Sequence, residues 1–142
     1  MASPRHPVLV ILLLGFFFLM ATSDASIFQP HRVWVIITNK IGPGIDLTLH
    51  CKSKDDDLGQ QILASDVSWQ FTFRPNWWKT TLFFCSFIWN SELHYFDIFV
   101  SGRDYKENQD HFHIMWQILP SGPCRFNYDT QLFDNCFPWN KN

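Results

Sequence analysis

Several stretches of this chain alternate apolar and polar residues one by one, and that period of two constrains the fold more than any other feature. IDLTLHC, residues 45–51, puts Ile45, Leu47, Leu49 and Cys51 on one face and Asp46, Thr48 and His50 on the other. An extended strand with one face in a core sorts residues in this way. VSWQFTF sets Val67, Trp69, Phe71 and Phe73 against Ser68, Gln70 and Thr72, and HFHIMWQI aims Phe112, Ile114, Trp116 and Ile118 inward. RVWVIIT, residues 32–38, is rich in β-branched residues and stops at NKIGPG, whose two glycines and proline make a turn. TTLFFCSFIW is apolar on both faces, as a strand covered on both sides would be.

LHYFDIFV and the C-terminal CRFNYDTQLFDNCFPW add further strands, the latter as a hairpin or as a strand with an ordered tail. QQILA is too short to place, and SGRDYKENQD, residues 101–110, is polar and without period, so an exposed loop is expected there. Seven or eight short strands joined by turns, with no long helical period, predict an all-β fold. The expectation is a small, disulfide-stabilised antiparallel β-sandwich, with a barrel as the other arrangement of the same strands.

The N-terminus has Arg5 and His6, then the apolar run VLVILLLGFFFLMA, then the small and polar TSDAS. This is the pattern of a secretory signal peptide, and the run is shorter than the ~20 residues that span a bilayer. Small residues at Ser23 and Ala25 place the cut after Ala25. Residues 1–25 are therefore read as the signal and residues 26–142 as one extracellular domain, a soluble monomer with no membrane insertion after cleavage. Cleavage removes one base and one acid and leaves the net charge at −2. So balanced a chain lacks the basic stripe that a nucleic-acid partner requires.

Cys51, Cys85, Cys124 and Cys136 all lie beyond the signal. Four cysteines in a small secreted chain predict two disulfides, and three pairings are open. Bonds tying the C-terminal segment back to the central strands are favoured, since a free tail would fray. No Asn-x-Ser/Thr acceptor for N-glycosylation occurs.

Charge concentrates in HCKSKDDDLG, His50 to Gly59, where Lys52, Lys54, Asp55, Asp56 and Asp57 crowd together after Cys51. The D-x-D-x-D-G rhythm of a calcium loop is absent, and consecutive aspartates in a loop point in different directions. His111 and His113 share one side of a strand, but two ligands do not make a zinc site. No metal or other cofactor is expected. His50, His94, His111 and His113 could serve a hydrolase or ribonuclease, which needs a paired acid and base, yet no catalytic motif surrounds them. Trp77 and Trp78, adjacent in a turn, are the candidates for a carbohydrate-binding platform. The plain reading of HCKSKDDDLG is a solvated loop held at its base by Cys51.

HCKSKDDDLG, preceded by NKIGPGIDLTLH and followed by FTF, TTLFFCSFIW, YFDIFV, GPC and CFPWN, closely resembles the plant self-incompatibility protein family, the S-protein homologues. The likeness runs from about Val33 to Trp139. It implies a small secreted β-sandwich without enzymatic activity. In the founding poppy members the pistil-secreted protein is a ligand read by a pollen membrane receptor. The resemblance therefore implies a membrane receptor as partner here. Ile114 stands where many relatives carry a cysteine. Lys52, Lys54, Asp55, Asp56 and Asp57 are the expected receptor contacts, with Arg103, Asp104, Lys106 and Glu107 as a second charged rim.

Overall fold

The computed structural model describes residues 6–20 and 29–141. Helix α1, His6–Met20, carries most of the apolar run. Among the described residues no helix is long and apolar enough to cross a membrane. The expected cut after Ala25 lies outside the described residues.

Nine strands come next in the described residues: β1 Val33–Asn39, β2 Leu47–Lys52, β3 Asp57–Leu63, β4 Ser68–Phe73, β5 Leu82–Trp89, β6 Glu92–Val100, β7 His113–Leu119, β8 Gly122–Asn127 and β9 Leu132–Cys136. They form two sheets, ordered β4-β1-β7-β8-β9 and β3-β2-β5-β6. The sandwich is as expected, with more strands than the seven or eight read from the sequence. The short QQILA overlaps the end of β3, and the C-terminal segment makes the β8–β9 hairpin.

One pairing is not antiparallel. β1 runs parallel to β7, with Trp34 opposite His113 and Ile37 opposite Trp116. Alternation tells which face of a strand is buried but not the direction of its neighbour, so this crossover left no mark in the pattern.

The core lies between the sheets and is built from the alternating faces. β1 contributes Val33, Val35 and Ile37, β2 contributes Leu47, Leu49 and Cys51, and β7 contributes Ile114, Trp116 and Ile118, all buried. β4 is the edge of its sheet, so Trp69, Phe71 and Phe73 are only partly covered and Val67 is exposed. β5 corrects another expectation. Phe83, Cys85, Phe87 and Trp89 face the core, but Leu82, Phe84 and Ile88 face outward and are exposed. An apolar outer face reads in sequence like a covered one, because periodicity records polarity and not what lies above it.

The turn after β1 is set by a buried polar side chain. Asn39 donates to the carbonyls of Ile45 (2.8 Å) and Leu63 (2.9 Å) and accepts from the amide of Ile41 (3.0 Å). Both its amide nitrogen and its carbonyl oxygen are thereby used, which is the condition for burying an amide without penalty.

Both disulfides join direct cross-strand partners: Cys51–Cys85 between β2 and β5, and Cys124–Cys136 between β8 and β9. The C-terminal segment is thus bonded to itself and not to the central strands, contrary to expectation. The tail is held by other means. The amide of Phe137 donates to the Pro123 carbonyl (2.9 Å), that of Asn140 to the Tyr95 carbonyl on the other sheet (2.9 Å), and the indole of Trp139 to the Pro120 carbonyl (3.1 Å). A Cβ at Gly122 would stand 2.1 Å from the Phe137 carbonyl oxygen, so only glycine lets the tail lie this close.

Residues 101–104, expected in an exposed loop, form instead the single helical turn α2, Ser101–Asp104, with Ser101, Asp104 and Tyr105 buried. The Asp104 carboxylate accepts from the Val100 amide (2.8 Å), from Arg103 Nε (2.8 Å) and Nη2 (2.7 Å), and from Arg125 Nη1 of β8. Two guanidiniums and an amide make the burial of a charge tolerable.

Asp104→Asn would leave two largely buried guanidiniums without a counter-charge and should cost about 3–5 kcal/mol in urea unfolding; a loss under ~1 kcal/mol would show that the ion cluster is incidental. Replacing Cys124 and Cys136 together by serine should cost about 2–3 kcal/mol, because the bridge closes a short loop. The tail should nevertheless stay docked, with the Phe137 and Asn140 amides still protected from hydrogen exchange.

Candidate functional site

HCKSKDDDLG is the tip of a β-hairpin. His50, Cys51 and Lys52 end β2, Asp57 to Gly59 begin β3, and Lys52 pairs with Asp57. Ser53 and Asp56 close the turn: the Ser53 amide donates to the Asp56 carbonyl (2.8 Å) and the Asp56 amide to Ser53 Oγ (3.1 Å). Gly59 has φ +75°, where a side chain would be strained.

The three aspartates do different jobs. Asp57 Oδ1 lies 2.5 Å from His50 Nε2 and accepts from the Gly59 amide (2.9 Å), while Lys52 Nζ is 3.7 Å from its other oxygen. The His50 hydrogen bond first, and the Gly59 amide next, hold the Asp57 carboxyl below its ordinary value of 3.8. A lowered carboxyl favours the fold above the ordinary value and gives that contribution up as pH falls through the lowered one. Asp57 is therefore a clasp within the hairpin. Lys54, Asp55 and Asp56 stay at the tip, without an ion pair among the described residues.

Across from this tip stands the β4–β5 turn. Asn76 organises it, its side chain binding Thr80 on both the hydroxyl (2.8 Å) and the amide (3.0 Å), and its own amide donating to Thr81 Oγ1 (2.8 Å). The turn thrusts Trp77 and Trp78 outward, 55% and 84% exposed. Between hairpin and turn lies a cleft of about 640 Å³, lined by Asp55, Asp56, Arg74, Trp78 and Phe84 among others. Arg74 and Phe84 were not singled out in the sequence, since a turn arginine and an outward phenylalanine carry no local signal of a cleft.

The second charged rim is only partly a rim. Asp104 is fully buried and Arg103 largely so, committed to each other and overlain by the rings of Phe96, Trp116 and Phe137. Lys106 and Glu107 are exposed, and Glu107 lies 3.7 Å from Lys79 of the β4–β5 turn. The hairpin tip, the tryptophan turn and the segment after β6 thus share one end of the sandwich. There β2, β4 and β6 finish and β1, β5 and β7 begin.

The histidines are dispersed. His50 is clasped to Asp57, and His94 stacks on Trp89 and Trp139 at the opposite end. His111 stacks on Tyr128 and His113 on Trp34. His111 and His113 line one cleft beside Arg125, but among the described residues neither ring has a carboxylate to orient it. No group of three or more His, Cys, Asp or Glu side chains converges on a metal position among the described residues.

Known proteins share this architecture. The family described as plant self-incompatibility protein S1 matches residues 34–139. S-protein homolog 2 of Arabidopsis thaliana is 45% identical over 124 residues, 84% of this chain and 76% of that protein. S-protein homolog 3 from the same plant is 39% identical over 138 residues, covering 96% and 92%. A solved SPH (self-incompatibility protein homologue) structure, from a family described as widespread, small, highly stable, secreted plant proteins, superposes with a TM-score of 0.53 at 17% identity. It covers 81% of this chain and 99% of that one, and shows a shared fold. With the family match spanning nearly all of the sandwich and relatives this similar over most of its length, the chain belongs to the plant self-incompatibility protein S1 family.

Proposed function

We propose that residues 26–142, freed from a signal peptide of residues 1–25, form a secreted, non-enzymatic recognition ligand read by a membrane receptor on another cell. The observation that carries this reading is the gathering of the acidic hairpin tip and the exposed tryptophan turn around one cleft. Both are loops braced by a rigid scaffold, the hairpin through Cys51–Cys85 and the turn through Asn76. Preordered loops lose little entropy on binding, and an exposed tryptophan flanked by charge is the composition of a binding hot spot. Family membership and the secreted character of the SPH relatives support the same reading.

We leave Asp57 and Lys52 out of the proposed contact set, since they are engaged with each other and, for Asp57, with His50 and the Gly59 amide within the hairpin. Lys54, Asp55, Asp56 and Trp78 are the residues left to meet a partner. The test is saturable binding of the fluorescently labelled secreted chain to intact plant cells. Trp78→Ala should weaken binding by about 30-fold or more, as loss of a hot-spot aromatic does. Asp55→Asn with Asp56→Asn should weaken it by about fivefold and flatten its dependence on salt, because long-range attraction is lost. Native-like affinity in both variants, with their melting curves unchanged, would remove this end from the recognition surface.

A further inference from the structure

A second cleft, of about 510 Å³, opens at the same end between the segment after β6 and the neighbouring ends of β7 and β8. It is separate from the cleft assigned to the receptor, and a ligand held in it is independent of that assignment. Its floor is the cluster of Asp104, Arg103 and Arg125. One carboxylate faces two guanidiniums, so the cluster keeps a positive charge.

The two arginines are not equivalent. Arg103 is consumed by the fold: it donates to both Asp104 oxygens and to the Asp97 carbonyl (2.7 Å), beneath three aromatic rings. Arg125 has Asp104 as its single side-chain hydrogen-bond partner among the described residues, met through Nη1. Its Nε and Nη2 donors find no acceptor among those residues, although the side chain is only 20% exposed. Asp104 is already met by Arg103 and the Val100 amide, so neutralising it does not require the second guanidinium. Lys106 lines the same cleft without an ion-pair partner among the described residues, and Asp129 is the one other carboxylate in the lining.

The same cleft also has a flat aromatic wall. His111 lies parallel to Tyr128 with ring centres 4.1 Å apart, and Phe126 meets Tyr128 edge-on at 5.0 Å. The Tyr128 hydroxyl is tied to the His113 carbonyl (2.9 Å), which fixes the wall. Gln109 and Asn135 add amides at the rim. A surplus planar fork of donors, an aromatic ledge and flanking amides together match a ring that carries a carboxylate and hydroxyls.

We propose that this cleft binds an acidic carbohydrate of the uronic-acid class, with Arg125 taking the carboxylate, Lys106 adding to the attraction and the Tyr128–His111 wall receiving the sugar face. The volume suits one or two sugar rings.

The experiment titrates the secreted, disulfide-intact chain with tri-galacturonate, maltotriose, sulfated maltotriose and sodium sulfate, read by NMR shifts of the β8 amides. Tri-galacturonate should bind saturably and at least about tenfold more tightly than maltotriose, the loss expected when a charge-assisted fork is missing. Arg125→Lys keeps a cation on Asp104 but removes the fork, and should weaken tri-galacturonate by about tenfold. Lys106→Gln, at an exposed side chain that takes no part in the buried ion pairs and so is safe for folding, should weaken it about threefold. Equal binding of maltotriose, tighter binding of sulfated maltotriose, or sulfate alone binding as well as the uronate would each overturn the assignment. So would native-like affinity in both variants.

Discussion

A carboxylate with no access to water must be matched by charge at close range, and in this fold that demand falls on Asp104. Its partners come from different places in the chain. Arg103 belongs to the same helical turn at the end of β6, while Arg125 comes from β8 in the opposite sheet. The cluster therefore pins one sheet to the other at the end that carries the loops. Phe96, Trp116 and Phe137 pack over Arg103 and exclude solvent, which strengthens the ion pairs they cover. Removing any member would loosen the relation between the sheets and, with it, the platform under both clefts.

The two disulfides act on a shorter scale. Each joins strands that already lie side by side in one sheet, so neither decides how the sheets pack. Cys51–Cys85 steadies the base of the acidic hairpin from inside the core, and the Asp57 clasp to His50 and Gly59 steadies it from outside. Cys124–Cys136 holds the β8–β9 hairpin, from which the tail sets out across to Tyr95 of the other sheet. Covalent bonds thus fix local register, whereas ion pairs, tail hydrogen bonds and aromatic packing fix the sandwich.

Whatever depends on the polarity of consecutive residues was legible in the sequence. The inward faces of β2 and β7 were readable because each buries every second residue, whereas β1, apolar at Trp34 and Ile36 as well, was readable only as a strand. The parallel β1–β7 pair was not, since register across a sheet depends on residues far apart in the chain. α2 was hidden for a different reason. SGRD is polar, and nothing in that pattern shows that Asp104 will be buried against Arg103 and the Val100 amide, or that Arg125 arrives from about twenty residues later to join them. Asp57 was grouped with its two neighbours because composition cannot show that one of three adjacent carboxylates faces its own strand partner. Trp77 and Trp78 were legible as exposed because two adjacent large rings in a turn cannot both turn inward. The apposition of Trp78 to Asp55 and Asp56 needed the fold.

The same contrast explains why charge divides so unevenly at this end of the molecule. A hairpin tip has no interior, so Lys54, Asp55 and Asp56 keep their water and act at long range on whatever approaches. Arg125, largely buried beside aromatic rings, has lost most of its water and acts only on a group that enters the cleft. Exposed charges govern encounter rates and are screened by salt, whereas a largely buried guanidinium discriminates by geometry and is screened far less. Under the two proposals, substitutions at the tip and in the arginine cleft should therefore act on different quantities, the first on the salt dependence of association and the second on which chemical group is held.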